Sequence, residues 1–162
     1  MYETGHLHLV CGLICAGKST LCNALAAQPN TVLLSEDHWL KTLYGPEMQT
    51  VSDYVTYSKR LQNLLTSHVA NLLQSGTTVV LDFPANTLKQ RSWLMAVIEQ
   101  ANCQHTLHVL DVPIEDCKTR LFKRNAQRAH QFTVSEEQFD RFSAHFVAPS
   151  ASEGFNIETH QP

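Results

Sequence analysis

Gly12 to Ser19 reads GLICAGKS, two glycines framing four residues and then a lysine and a hydroxyl. This satisfies G-x-x-x-x-G-K-[ST], and the spacing has a chemical reason. Glycines let the backbone curl until successive N–H groups converge on phosphate oxygens, and a helix starting at the lysine adds its partial positive charge. Gly12, Ile14, Cys15, Ala16, Gly17, Lys18, Ser19 and Thr20 are therefore the candidate nucleotide-binding residues. Lys18 is expected to reach the β- and γ-phosphates of ATP and Ser19 to ligate Mg²⁺. A match by chance is expected in about one chain in a hundred of this length, and a strand before the loop and a helix after it reduce that further.

Two carboxylates fall where an open α/β sheet gathers its working groups, beyond the carboxyl ends of strands. Asp37 follows the apolar run TVLLS, and Asp82 closes TTVVLDF. A kinase acting on a hydroxyl needs one group to accept or orient that proton and another to hold the metal. Asp37 is assigned to the acceptor and Asp82 to the metal, with the reverse division open. Glu36 ranks second as base, because its side chain should leave the strand end on the other side. Asp37 could instead cap the HWLK turn. Arg120, Arg124 and Arg128 repeat at four residues and form one stripe on a helix that could close over a triphosphate.

Elements must position these groups. HLHLVC, TVLLS, TTVVLDF and HTLHVLDV read as buried strands. Helical spacing follows Lys18, runs from 53 to 74, from Leu88 to Gln100 and through IEDCKTRLFKRNAQRAH. Thr133 or Ser135 offers a capping box for a further helix to about Val147, and GFNIE could be a short fifth strand. Alternating strands and helices predict an α/β fold with a mainly parallel sheet. One domain over 1–162 is expected, with a helical lid near 118–135.

The formal charge of -3 exerts no chain-wide pull on nucleic acid or acidic membranes, although five of the twelve Lys and Arg lie between Lys118 and Arg128. The five cysteines are odd in number and lack CxxC spacing, which favours reduced thiols. The N-terminus runs into a strand and no stretch approaches a membrane span, so a cytoplasmic location is expected. His6 and His8 alternate on a strand as a metal pair would, but no third ligand is evident. His105 and His108 fall on opposite strand faces and read as structural. Trp39, with Tyr44 and Tyr54, could stack on a base or line an acceptor pocket, or simply pack.

Together GLICAGKST, Asp37, VVLDFPANTLKQR, VLDVPIEDCKTRLFKRN and RNAQR resemble the small P-loop kinases. That group includes zeta-toxin-like and chloramphenicol phosphotransferase-like proteins and the kinase domain of phage polynucleotide kinase. The resemblance implies a three-layer P-loop NTPase fold, a five-stranded parallel sheet flanked by helices with a lid. It places Asp37 at the hydroxyl-activating aspartate, Arg124 and Arg128 at lid arginines, and Asp82 with Arg91 in the third-strand segment, Arg91 on the substrate side. Where relatives often carry an arginine after the aspartate, this chain has His38, Trp39, Leu40 and Lys41. The expected activity is Mg²⁺-dependent phosphoryl transfer from ATP to a hydroxyl of a small molecule. A polynucleotide 5′-hydroxyl kinase, a toxin phosphorylating a nucleotide sugar, and a nucleotide-dependent switch without an acceptor are the alternatives. Nucleic acid is not the favoured partner, because cations outside the lid helix are scattered.

Overall fold

The structure is a computed structural model and describes residues 3–127 and 134–162. Five parallel strands, β1 (Leu7–Cys11), β2 (Thr31–Ser35), β3 (Thr78–Asp82), β4 (His105–Leu110) and β5 (Ile157–His160), form one sheet in the order β2-β3-β1-β4-β5. Register is parallel throughout, with Leu7 opposite Val79 and His105, and Ser35 opposite Asp82. The four apolar strands thus stand where their sequence patterns put them, in a P-loop NTPase-like arrangement, while the fifth keeps only Ile157 and Glu158 of GFNIE and runs on to His160.

The helices are α1 (Lys18–Ala26), α2 (Glu36–Tyr44), α3 (Val51–Gln74), α4 (Leu88–Ala101), α5 (Ile114–Gln127) and α6 (Glu136–Ala144). One sheet face carries Leu7, Leu9, Leu81 and Leu107 into the main core, where α3 supplies Leu61, Leu65, Val69 and Leu73 and α4 supplies Leu94, Val97 and Ile98. On the other face Val10 and Val80 meet Cys22 of α1. A smaller cluster of Ala16, Cys117, Leu121 and Phe139 packs α5 and α6 against the phosphate loop. Burying a Leu- or Phe-sized side chain contributes about 1.5–3 kcal/mol, so the wide core under α3 and α4 is the main support of the sheet.

Polar ends explain where the helices begin. Thr50 and Asp53 form a reciprocal capping box, which starts α3 at Val51 rather than at 53. Thr87 and Gln90 do the same for α4, and Ser135 and Gln138 for α6. Of the two candidate caps for α6, Ser135 is used, while Thr133 lies outside the described residues. Asn102, at φ 49, closes α4 in the left-handed conformation. The stretch after β2 is not a turn but the helix α2, capped by Ser35, so Asp37 sits in its first turn and is not the cap. All five cysteines are free thiols. No helix among the described residues is long and apolar enough to cross a membrane.

Candidate active site

The phosphate loop leaves β1 at Cys11 and enters α1 at Lys18. Gly17 takes φ 104, a conformation that glycine adopts without strain, and it is the N-cap that turns the chain into the helix. A Cβ on Gly12 would lie 3.2 Å from Cβ of both Ala16 and Leu110, so the loop start is packed too closely for another side chain to enter freely. Cys15, a non-glycine residue, stands at φ 63. Strained backbone of this kind is held only where neighbours over-determine it, and Arg120 Nη1 donates to the Cys15 carbonyl at 3.2 Å. The arginine expected near the nucleotide is thus at the loop rim.

A second clamp comes from Asn86, which the sequence reading missed. Its Oδ1 accepts from the Gly12 N–H at 3.0 Å and its Nδ2 donates to the Gly12 carbonyl at 2.8 Å. Gln90 Oε1 in turn accepts from the Asn86 N–H at 2.9 Å and from Thr87 N–H at 3.1 Å. The capping box of α4 and the phosphate loop are therefore one hydrogen-bonded unit. The only signal for this in the sequence was the capping pattern N-T-L-K-Q itself.

Lys18 Nζ lies over its own loop, donating to the carbonyls of Gly12 and Leu13, each at 2.8 Å. Burial holds its pKa below the ordinary lysine value, and Asp82 opposes that shift. Asp82 is pushed up, chiefly by burial, with Lys18 acting downward and Asp37 upward. Lys18, Asp82 and Asp37 consequently share one electrostatic neighbourhood at the carboxyl ends of β1, β2 and β3. Ser19 is exposed in the first turn of α1, and Asp82 is half-buried. Hydroxyl and carboxylate oxygens are the hard donors that Mg²⁺ takes, so the pair fits the ion.

The adjacent carboxylates of α2 differ sharply. Glu36 is 5% exposed and accepts hydrogen bonds from the hydroxyls of Tyr54 and of Ser58, the latter at 2.8 Å. Burial raises its pKa, and those two bonds oppose the rise. It ties α2 to α3, as expected of a side chain leaving on the far side. Asp37 is exposed and meets Lys41 at 3.0 Å, one helical turn on. Such an exposed pair contributes about 0.3–0.5 kcal/mol and leaves the carboxylate available.

One assignment is altered by the structure. Arg91 is not on a substrate-facing surface: it is fully buried, its Nε donates to Glu153 Oε1 at 2.7 Å, Nη2 to Oε2 at 3.3 Å, and Nη1 to the Ala85 carbonyl at 2.8 Å. The guanidinium is spent on holding the loop after β3 to the turn at Ala151–Glu153. Lys118 binds Asp140 at 2.8 Å and Glu136 at 3.6 Å, bracing α5 against α6. Trp39 is half-buried against the main core, and Tyr44 stacks on Tyr57 at 4.2 Å. Arg124 is half-buried on α5, four residues beyond Arg120. Arg128 and the centre of the expected lid lie outside the described residues.

Comparison with known proteins bears on this geometry directly. A family model described as an AAA domain matches residues 7–149. The chain belongs to the AAA domain family. No curated protein matches this AAA domain in sequence. In structure it is similar to the APS kinase of Mycobacterium tuberculosis solved with AMPPNP and APS, with a TM-score of 0.64, 16% identity, and coverage of 99% of this chain and 90% of that one. It is similar to Kti12 of Chaetomium thermophilum in complex with ADP-AlF3, with a TM-score of 0.68, 15% identity, and coverage of 96% and 88%. A gluconokinase of Sinorhizobium meliloti matches with a TM-score of 0.58 and 14% identity over 99% of this chain and 84% of that one. At these identities the likeness is one of fold.

Proposed function

We propose that this AAA domain is a kinase that transfers the γ-phosphoryl group of ATP to a hydroxyl of a small molecule. The observation that carries the reading is the convergence of Lys18, Asp82 and Asp37, with Lys18 and Asp37 each acting on Asp82, at the carboxyl ends of the strands. Kinase structures among the fold neighbours, an APS kinase in complex with APS and a gluconokinase, support the class of acceptor.

Phosphate would draw Lys18 from the Gly12 and Leu13 carbonyls and receive the loop N–H groups in their place. Mg²⁺, when bound, neutralises charge on the phosphate oxygens. Ser19 and Asp82 would hold it. Asp37, exposed in the first turn of α2, accepts or orients the proton of the attacking hydroxyl. Arg120 at the loop rim and Arg124 on the same helix face, with Arg128 following in sequence, counter the charge of the transferring group. Trp39 and the rest of α2 flank the acceptor side.

The test is γ-labelled ATP with Mg²⁺ against pooled nucleosides, sugars, amino-alcohol antibiotics, nucleotide sugars and 5′-hydroxyl oligonucleotides, with Asp37→Ala alongside. Label should move to one small-molecule pool and be lost in the variant. Transfer to oligonucleotides alone would make the protein a polynucleotide kinase. Hydrolysis without transfer, equal in the variant, would make it a switch.

A further inference from the structure

Four histidines, far apart in sequence, line up across one face of the sheet. His6 and His8 come with β1, His108 from β4 and His160 from β5. His8 Nδ1 is 3.0 Å from His108 Nε2, and His108 Nδ1 is 2.9 Å from His160 Nε2. Glu158 Oε1 lies 3.7 Å from His160 Nε2, and the donor atoms of His108, Glu158 and His160 all fall within 4.8 Å of one another. We propose that His108 Nδ1, His160 Nε2 and the Glu158 carboxylate form a binding site for a zinc-type divalent cation, separate from the phosphate loop.

Two features support it. The donor set is two imidazoles and one carboxylate, which suits Zn²⁺ with a water in the fourth position and not the all-oxygen preference of Mg²⁺. The ring nitrogen of His108 turned away from the site has its own partner. In the tautomer with Nε2–H donating to His8 Nδ1, His108 has Nδ1 free, and this is the outer hydrogen bond that metal-binding histidines characteristically make.

The cation takes the place of the proton shared by His108 and His160, which moves to His160 Nδ1 and leaves both rings neutral. Tetrahedral coordination needs the two nitrogens about 3.3 Å apart, an opening of a few tenths of an ångström from 2.9 Å. That opening falls on β5, the edge strand, where the His160 side chain is 32% and that of Glu158 60% exposed. The same exposure gives the ion a way in. Bound there, it clips β5 to β4.

The experiment uses tag-free, metal-stripped protein in excess Mg²⁺, which occupies oxygen-donor sites. Co²⁺ is titrated while its visible d–d absorption is followed, and Zn²⁺ is then added to displace it. One equivalent of tetrahedral Co²⁺, displaced by Zn²⁺, is expected, together with a rise in Tm on adding Zn²⁺. His160→Ala and Glu158→Gln should each weaken binding at least tenfold. His8→Ala should weaken it about ten- to a hundredfold without changing the number of ligands. His145→Ala, at the exposed end of α6, should change nothing. Absence of binding at millimolar Co²⁺, a six-coordinate spectrum, or equal affinity in His160→Ala, with native circular dichroism confirmed, would overturn the proposal.

Discussion

Strand β1 feeds two polar constellations that are built on opposite plans. At its carboxyl end, the phosphate loop is a contiguous run whose groups are mostly backbone, held in shape by Asn86, Arg120 and a left-handed Gly17. Along its length, the imidazole row takes one or two residues from each of three strands, with separations of 100 and 52 residues between bonded partners. The first depends on local geometry and the second on sheet register. A single-residue slip of β5 would turn His160 and Glu158 to the other face and dissolve the row, whereas the loop would be untouched.

Breaking one region while watching the other tests that contrast. The largest effect is expected from Lys18→Ala, which should lower phosphoryl transfer by at least about a thousandfold by removing the charge on the transferring group. Co²⁺ binding at the imidazole row should be unchanged in the same preparation. Asp37→Asn should lower kcat by about 10²–10⁴-fold and leave nucleotide affinity close to that of the parent, as read by single-turnover kinetics and equilibrium titration. A matched loss of nucleotide binding would move Asp37 from the acceptor to the metal.

Next in size is the buried pair. Arg91→Ala strips Glu153 and Ala85 of their partner and should cost about 3–5 kcal/mol in urea unfolding. Asn86→Ala leaves the Gly12 amide without its bond and should cost about 1–3 kcal/mol, with KM for ATP rising as the loop loses its clamp. Smallest is a pH effect at Glu36. Its pKa is raised in the folded protein by burial, so the native state holds more protons than the unfolded chain and stability falls as pH rises from about 4.5 upward. Glu36→Gln should flatten that part of the Tm-against-pH curve, and an unchanged slope would assign it to other groups.

The sheet and the phosphate loop were legible in the sequence because both are encoded by neighbours: apolar runs closed by glycine or a carboxylate, and a fixed motif. The positions of Asp37 and Asp82 were marked by the apolar runs before them: Asp82 closes β3, and Asp37 follows β2 in the first turn of α2. Arg91 was misplaced because its partner, Glu153, is 62 residues away and nothing near Arg91 announces burial. The turn read after β2 became a helix because Ser35 caps it and Glu36 finds two hydroxyl donors on α3, an arrangement that only tertiary packing supplies. His6 and His8 showed only alternation, since the imidazoles that continue their row, His108 and His160, arrive by strand pairing.

The Arg91–Glu153 pair also sets an order for the chain's emergence during synthesis. Until the turn after α6 is made, the guanidinium destined for the interior has no carboxylate to meet, and the loop that bears Asn86 is anchored at one side only. A nascent chain that has reached α6 therefore holds Asn86 and Arg120, which clamp its phosphate loop, before it holds the carboxylate that pairs with Arg91. Burial of Arg91, and with it the full support of the Asn86 loop, should come late, when Glu153 folds back.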